Sequence, residues 1–470
     1  MPLQKLQFRP GLNREGTDYS NEGGWYDGNK IRFRSGFPEK LGGWTRVTND
    51  TYLGLARNLW CWIDLDGANY VGTGTNIKYY INYGGEFFDV TPIIFTSDPA
   101  LSGPFTTVST TLAAGITASD TTLTVASGAN IPDTGCLLIG TEDIYYSSVS
   151  GTTISGLIRG CNGTTAASHS LGATVYTPII VVTDNEYHPS VGDYVTYSGS
   201  TALGGNITAG VLDQEYIVTG SPSATTYTIS ARTAGTGVEV VSPVFANASD
   251  TGHGGTVTAE YQYPVGLNAY SFGTGWGTGP YSRGGWGSGY TSGVGTQLRL
   301  WTSDNYGEDL VIAPRGGPLY YWKDSTTVYT RAQSLADLSD AAGFEGRFVP
   351  NTTNQASASS IQRFVIAMGA NPYDPTDSET AFDPMLVRWS DQENPYEWVP
   401  AVTNQSGEFR LSNGSFIMTS RNTRQEILVW TDSCLYSMQY LGPPYIWSFQ
   451  ILMDNISIIS PNASITINNV

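Results

Sequence analysis

Few residues in this chain have the types and spacing that chemistry requires. Its three histidines are His169, His188 and His253. None lies within a helical turn of another, so the HExxH zinc signature is absent. All three fall in a Thr/Ser/Gly-rich stretch, and His253 sits between glycines, so solvated loop side chains are expected rather than metal ligands or catalytic bases. The five lysines follow Gln4, Asn29, Glu39, Ile77 and Trp322. No Gly-Lys pair exists, which excludes a Walker A phosphate loop. Gly72-Thr73-Gly74-Thr75-Asn76 imitates one, but a strand-like run follows it instead of a helix N-terminus, so a hairpin turn is expected. Asp64-Leu65-Asp66-Gly67 begins like a calcium loop, yet its glycine comes too early and the distal glutamate is missing; an Asp-Gly turn explains it. Asp374, Asp377, Glu379 and Asp383 cluster among Pro372, Pro375 and Pro384. They read as a solvated acidic loop, with a paired-carboxylate glycan hydrolase as the competing reading. Gly273–Gly289 places Trp276, Tyr281 and Trp286 in flexible backbone. Such aromatics can stack on sugars or bases, or pin a linker to a neighbouring surface, which is the reading favoured here.

The elements that would have to position such groups are strands. The chain has 470 residues, only 14% of them charged, with 55 glycines and 12% aromatics. Heptad coiled coils and low-complexity disorder are excluded by that composition. Lys+Arg 23 against Asp+Glu 41 gives −18, so the molecule as a whole does not bind nucleic acid by neutralising phosphates. The four cysteines, Cys61, Cys136, Cys161 and Cys434, form no CxxC and are expected as buried free thiols in a reducing compartment. No apolar run follows Met1-Pro2-Leu3-Gln4-Lys5, and no stretch approaches the length of a membrane-spanning helix. The expectation is a chain made and kept in the cytosol, or released by lysis.

Along the chain, residues 1–46 hold eight basic and five acidic residues, a net +3, against −21 for the remainder. Ile31 and Phe33 alternate with Arg32 and Arg34 in the period of a strand with one apolar face. Residues 101–265 are Thr/Ser/Gly-rich, with short β runs separated by turns, as in small β-sandwich or barrel modules. Elsewhere an aromatic hairpin recurs, its first strand beginning near 70, 310, 364 and 427. The last two intervals are 54 and 63, and the first becomes 75 once the 165-residue stretch is removed. That period suggests propeller blades with an insertion between two of them. Helical signal is confined to Thr330–Ala342. The expected fold is all-β, a β-propeller-like core with inserted small β-sandwich/barrel modules. Its expected parts are an N-terminal docking segment with the first strand (1–46), a first blade (47–100), inserted module 1 (101–182), inserted module 2 (183–265), a Gly/Trp-rich linker (266–297) and the remaining blades (298–470).

Asn21-Glu22-Gly23-Gly24-Trp25-Tyr26-Asp27-Gly28-Asn29-Lys30-Ile31-Arg32-Phe33-Arg34, continuing to Gly42-Gly43-Trp44, resembles the opening of a family of tail nozzle or hub proteins from short-tailed bacteriophages. Gly275-Trp276-Gly277, Trp286-Gly287-Ser288, Leu298-Arg299-Leu300-Trp301, Asn305-Tyr306-Gly307-Glu308-Asp309, Arg315-Gly316-Gly317 and Arg388-Trp389-Ser390-Asp391 resemble the same family. Thr121–Val125 and Gly160-Cys161-Asn162-Gly163 resemble repeat modules of phage virion proteins. The resemblance covers most of the chain, and its motifs are architectural. It implies a structural virion protein, made in the host cytoplasm, that forms a ring of copies of itself, typically six-fold. Adaptor and portal-proximal tail proteins and tail fibres or spikes would be its neighbours, and double-stranded DNA would pass through without tight binding. Acidic walls would repel phosphates, and the basic N-terminal segment would dock on an acidic neighbouring ring. Trp25, Tyr26, Arg32, Arg34, Trp44, Trp276 and Trp286 are the expected interface residues. No catalytic, metal or cofactor-binding residue is expected. The competing readings are a receptor- or glycan-binding tail module and a propeller-type glycan hydrolase.

Overall fold

The structure is a computed structural model that describes residues 9–17, 19–43, 45–46, 48–233, 242–264, 300–324, 327–359, 361–378 and 380–466. Its contacts divide the chain into two units, Met1–Asp50 and Thr51–Val470. The fold is all-β, and among the described residues no sheet closes into a barrel.

In the first unit, Ile31–Arg34 pairs with Phe37–Lys40. Both loop residues, Ser35 (φ 51°) and Gly36 (φ 85°), take positive φ, the geometry that matches a two-residue turn to the twist of its strands. Ile31 and Phe33 are half-buried while Arg32 and Arg34 are exposed, as the alternation requires.

Four antiparallel sheets of four consecutive strands form the propeller-like core of the second unit. The first sheet is Ala56–Ile63, Asn69–Thr75, Tyr79–Tyr83 and Glu86–Asp89. The second is Trp301–Tyr306, Asp309–Pro314, Tyr320–Trp322 and Gln333–Ser334. Thr353–Ala358, Val365–Ala370, Asp383–Trp389 and Gly407–Arg410 make the third, and Ile417–Asn422, Ile427–Thr431, Cys434–Gly442 and Ile446–Asp454 the fourth. Each hairpin read from the sequence supplies the two middle strands of one sheet, and one further strand flanks it on either side.

Where the middle strands carry unbroken apolar runs, as in Leu310–Ala313 and Val365–Met368, both of their faces are covered. Leu310 and Ile312 pack with Trp62, Tyr79 and Ile81 of the first sheet. Their neighbours Val311 and Ala313 turn the other way and pack with Val365 and Ala367 of the third. Ile366 and Met368 in turn meet Val429, Tyr436 and Met438 of the fourth. Each such side chain contributes about 1.5–3 kcal/mol when fully buried, so period-2 alternation between two cores is what stacks the sheets.

Two local expectations are corrected. Gly72–Asn76 is not a turn, since Asn69–Thr75 is continuous strand and the chain reverses at Asn76–Lys78. Its glycines are required by packing. A Cβ on Gly74 would lie 2.6 Å from the Trp301 ring, and one on Gly72 2.5 Å from the Tyr79 hydroxyl. Gly74→Ala should therefore cost about 1–3 kcal/mol despite the gain from a stiffer unfolded chain; urea unfolding measures it, and a stabilised variant would refute the packing argument. The helix read over Thr330–Ala342 is only Leu335–Ala341. Gln333 and Ser334 instead pair with Tyr321 and Tyr320 as the outer strand of the second sheet, and the Ser334 hydroxyl accepts from Asp337 N to start the helix.

Between the first and second sheets the chain leaves by Ile93–Thr96 and returns by Thr256–Gln262, and these two segments pair antiparallel. One core inside this excursion holds Leu112, Leu137, Ile139, Ile144 and Val175. The other holds Val195, Tyr216, Tyr227 and Tyr261, and reaches back to Phe105, Ile180 and Val182. The strand Thr174–Thr183 serves both, pairing with Gly135–Ile139 near its start and with Thr226–Ser230 near its end.

Candidate functional site at the shared cavity

The first strands of the four sheets, with the segment after the last strand, line one cavity of about 530 Å³. Trp301–Tyr306 positions its floor. The indole N–H of Trp301 donates to Thr75 O at 2.7 Å, fixing the second sheet against the first. Ser303 Oγ then meets both Asn58 Nδ2 and the Tyr79 hydroxyl at 2.7 Å, and Trp60 Nε1 donates to Asn305 Oδ1.

Asp304 is the charged residue at the centre of this wall. It is partly accessible through the cavity, yet protein surrounds it closely. Burial pushes its carboxyl up to about 6, against the N–H groups of Ala358 and Asn305 and the side chains of Ser357 and Asn422. Ala358 N lies at 2.8 Å and Asn422 Nδ2 at 3.2 Å from Oδ2, and Asn305 N at 2.9 Å from Oδ1. Every one of these partners is a donor. The arrangement suits a carboxylate and disfavours a cation, which would need those lone pairs.

Two further charged clusters are closed into the fold. Lys78, 4% exposed, places Nζ 2.6 Å from Asp89 Oδ2 and 2.5 Å from Glu215 Oε2. Arg331 from the second sheet reaches Asp89 at 3.0 Å, and Gln262 donates to Glu215. Burial opposes ionisation of Asp89, but Lys78 and Arg331 outweigh it and hold the carboxyl below its usual range. This cluster ties the first sheet, the second sheet and the excursion to one another. Within the excursion, Glu142 is 1% exposed and accepts from Arg159 twice at 2.8 Å, from His169 Nε2 at 2.7 Å, and from Gly160 N and Ala167 N at 3.1 Å.

His169 is thus not a solvated loop side chain, because the Glu142 carboxylate recruits it. His253 Nδ1 lies 2.9 Å from Phe105 O, and His188 remains exposed beside Ser221. All four cysteines are free, but contrary to expectation only Cys434 is buried; Cys136 and Cys161 are half-buried, and Cys61 is exposed because it occupies the uncovered face of the first strand between Leu59 and Ile63. Asp64 accepts from Ala68 N at 2.6 Å and closes a turn with Gly67 at φ 86°, so it builds a hairpin. Asp374 takes the N–H and hydroxyl of Thr376, and Asp383 pairs with Arg410 at 2.6 Å. Glu379 lies outside the described residues.

Of the expected interface residues, Trp25, Tyr26, Arg32 and Arg34 lie in the Met1–Asp50 unit. Trp25 is half-buried 6.2 Å from the Phe33 ring, while Tyr26 is 60% exposed. Arg32 pairs with Glu39 across the hairpin at 3.2 Å. Trp44, Trp276 and Trp286 lie outside the described residues.

Asp304, Lys78, Glu142 and Glu215 were not singled out by sequence reasoning. The signal that could have found Asp304 is Thr302-Ser303-Asp304-Asn305, four polar residues in a strand bounded by Trp301 and Tyr306. Lys78 is a lone lysine against Tyr79-Tyr80, an anomaly in an otherwise apolar hairpin.

The fold so built is an all-β protein of stacked four-stranded sheets. No family model matches the chain, and no curated protein gives a significant match. Among solved structures it is similar to the phage phi92 endosialidase, at 9% identity and a TM-score of 0.19, covering 87% of this chain and 60% of that one. A second is the extracellular domain of a protein described as a one-component system from B. thetaiotaomicron, at 11% identity and a TM-score of 0.17, covering 92% of this chain and 58% of that one. No helix among the described residues is long and apolar enough to cross a membrane.

Proposed function

We propose that this chain is a structural protein of a phage tail, assembling with copies of itself into a nozzle or hub ring through which the genome passes. The observation that carries the reading is the use made of the residues resembling that family. Arg388 is 1% exposed, and its guanidinium donates to Asn371 O at 3.1 Å, Phe348 O at 2.8 Å and Trp398 O at 3.3 Å. Ser390 Oγ accepts from Val365 N at 3.0 Å. In the Arg315-Gly316-Gly317 turn, Arg315 N reaches Leu300 O and Gly316 N reaches Thr353 O, each at 2.7 Å. These residues join loops and sheets to one another; their role is architecture. The net charge of −18 supports a conduit, since acidic walls leave passing phosphates unbound.

Negative-stain imaging of the purified chain tests this. Closed rings of several subunits are expected, with no shift of duplex DNA in a gel at physiological salt. Isolated monomers, elongated trimers or tight DNA binding would overturn it.

A further inference from the structure

Among the described residues, three ionisable side chains line the shared cavity: Arg57 from the first sheet, Asp304 from the second and Arg421 from the fourth. Two guanidinium groups against one carboxylate leave a single positive charge, in a chain whose net charge is −18. Asp304 already receives four donors. Arg421 is differently placed. Its Nε donates to Ser464 O and its Nη2 to Pro461 O, each at 3.0 Å. Its Nη1 donates to Thr419 Oγ1 at 3.1 Å and to Ser420 O at 2.8 Å. These bonds take four of the five N–H groups of a guanidinium, and every acceptor is neutral. The group is thus fixed in place with no carboxylate bonded to it and one N–H left over.

Both strands that supply an arginine are bulged. Arg57 is the extra residue of one bulge, between Ala56 opposite Thr75 and Asn58 opposite Gly74. Met418 is the extra residue of the other, three positions before Arg421. The first strands of the second and third sheets, which place no arginine in the cavity, pair without a shift. A bulge re-aims side chains and is common beside active sites. Burial disfavours the charged form of both arginines, and a negative charge arriving in the cavity would offset that cost.

We infer that the cavity binds a small organic monocarboxylate, which Arg421 and Arg57 recognise. A planar carboxylate matches a planar guanidinium. One negative charge balances the wall, whereas a dianion would leave an excess beside Asp304. A cation is a poor match because the partners of Asp304 are all donors. At about 530 Å³ the cavity is in the range of small-molecule sites, and Trp60 and Ile465 line it with apolar surface for the body of the ligand. The site belongs to one chain, so its test is independent of ring assembly.

The test titrates the full chain with benzoate and glucuronate, each against a neutral counterpart, benzamide and glucose, and follows binding by ligand-observed NMR. At least one of the two acids should saturate at about millimolar concentration, with its neutral counterpart at least about tenfold weaker. Arg57→Gln should weaken the acid about tenfold while melting as the parent does. Arg421→Gln is a poorer probe, because Arg421 also holds the Pro461–Ser464 segment. The parent chain supplies a second readout. Burial pushes the Asp304 carboxyl up to about 6, so it gains a proton between pH 8 and pH 5, while both arginines stay charged and both ligands stay ionised. Loss of that negative charge from the wall should tighten binding of the acid about three- to tenfold. If Arg57→Gln fails to fold, this pH arm decides the matter. The inference is overturned if neither acid saturates by about 50 mM, if the neutral counterparts bind equally well, if folded Arg57→Gln keeps the parent affinity, or if affinity stays flat or falls from pH 8 to pH 5.

Discussion

Glu142→Gln should lower the stability of the chain by about 3–5 kcal/mol, the usual consequence of removing one member of a buried ion pair. The carboxylate is 1% exposed and gathers Arg159, His169 and two backbone N–H groups. An amide nitrogen in its place would face those donors and leave the Arg159 guanidinium buried without its counter-charge. Burial works to raise the Glu142 pKa, but the bonds from Arg159, His169 and Ala167 prevail and hold it at about 2. A carboxyl held below its unfolded value, about 4.3, stabilises the folded state fully above that value and ceases to do so as pH falls through about 2. The gap in melting temperature between parent and variant should therefore be wide at pH 7, narrow below pH 4 and close near pH 2. A gap that stays constant with pH would show that the carboxylate charge is not what matters. Arg32→Ala, which breaks the solvent-exposed Arg32–Glu39 pair, is the control and should leave the melt unchanged.

Lys78→Met should have an effect of similar size, about 3–5 kcal/mol, for a different structural reason. Lys78 is the only lysine in the Asp89–Glu215 cluster, and its removal leaves two carboxylates close together with Arg331 alone to oppose them. Asp89 belongs to the first sheet and Glu215 to the excursion. The variant should therefore loosen the joint between them before either melts. Hydrogen exchange should accelerate at Tyr79–Tyr83 and Glu215–Ile217, while Val365–Ala370 in the third sheet keeps its protection. Adding Glu215→Gln to Lys78→Met should recover part of the loss, because it removes one of the two stranded charges. Uniform acceleration across all four sheets would mean that the cluster is not a joint.

The four hairpins were legible because burial on both faces leaves an unbroken apolar run, as in Leu310–Ala313 and Val365–Met368. The strands beside them were not. Thr353–Ala358 reads Thr-Asn-Gln-Ala-Ser-Ala, and its polar side chains are occupied by partners distant in sequence, such as Gln355 with Ser420. Gly72–Asn76 was misread for a related reason. Glycine in a local pattern signals a turn, whereas here it makes room for Trp301, more than two hundred residues later in the chain. The shared cavity could not be read at all. Asp304, Gln355 and Ser420 lie on three sheets, and no spacing in one dimension brings them together. His169 shows the same limit, since only the fold reveals that a glutamate 27 positions earlier claims it.

The paired strands Ile93–Thr96 and Thr256–Gln262 are where the excursion leaves and rejoins the core, and Thr256–Gln262 is also an inner strand of the excursion's own five-stranded sheet. A graft that replaces the whole excursion, both of these strands included, would leave the register of all four core sheets intact, so the junction is a port for exchanged cargo. The port is not indifferent to what it receives: a replacement must present an acid to Lys78, or Lys78 must be replaced along with it.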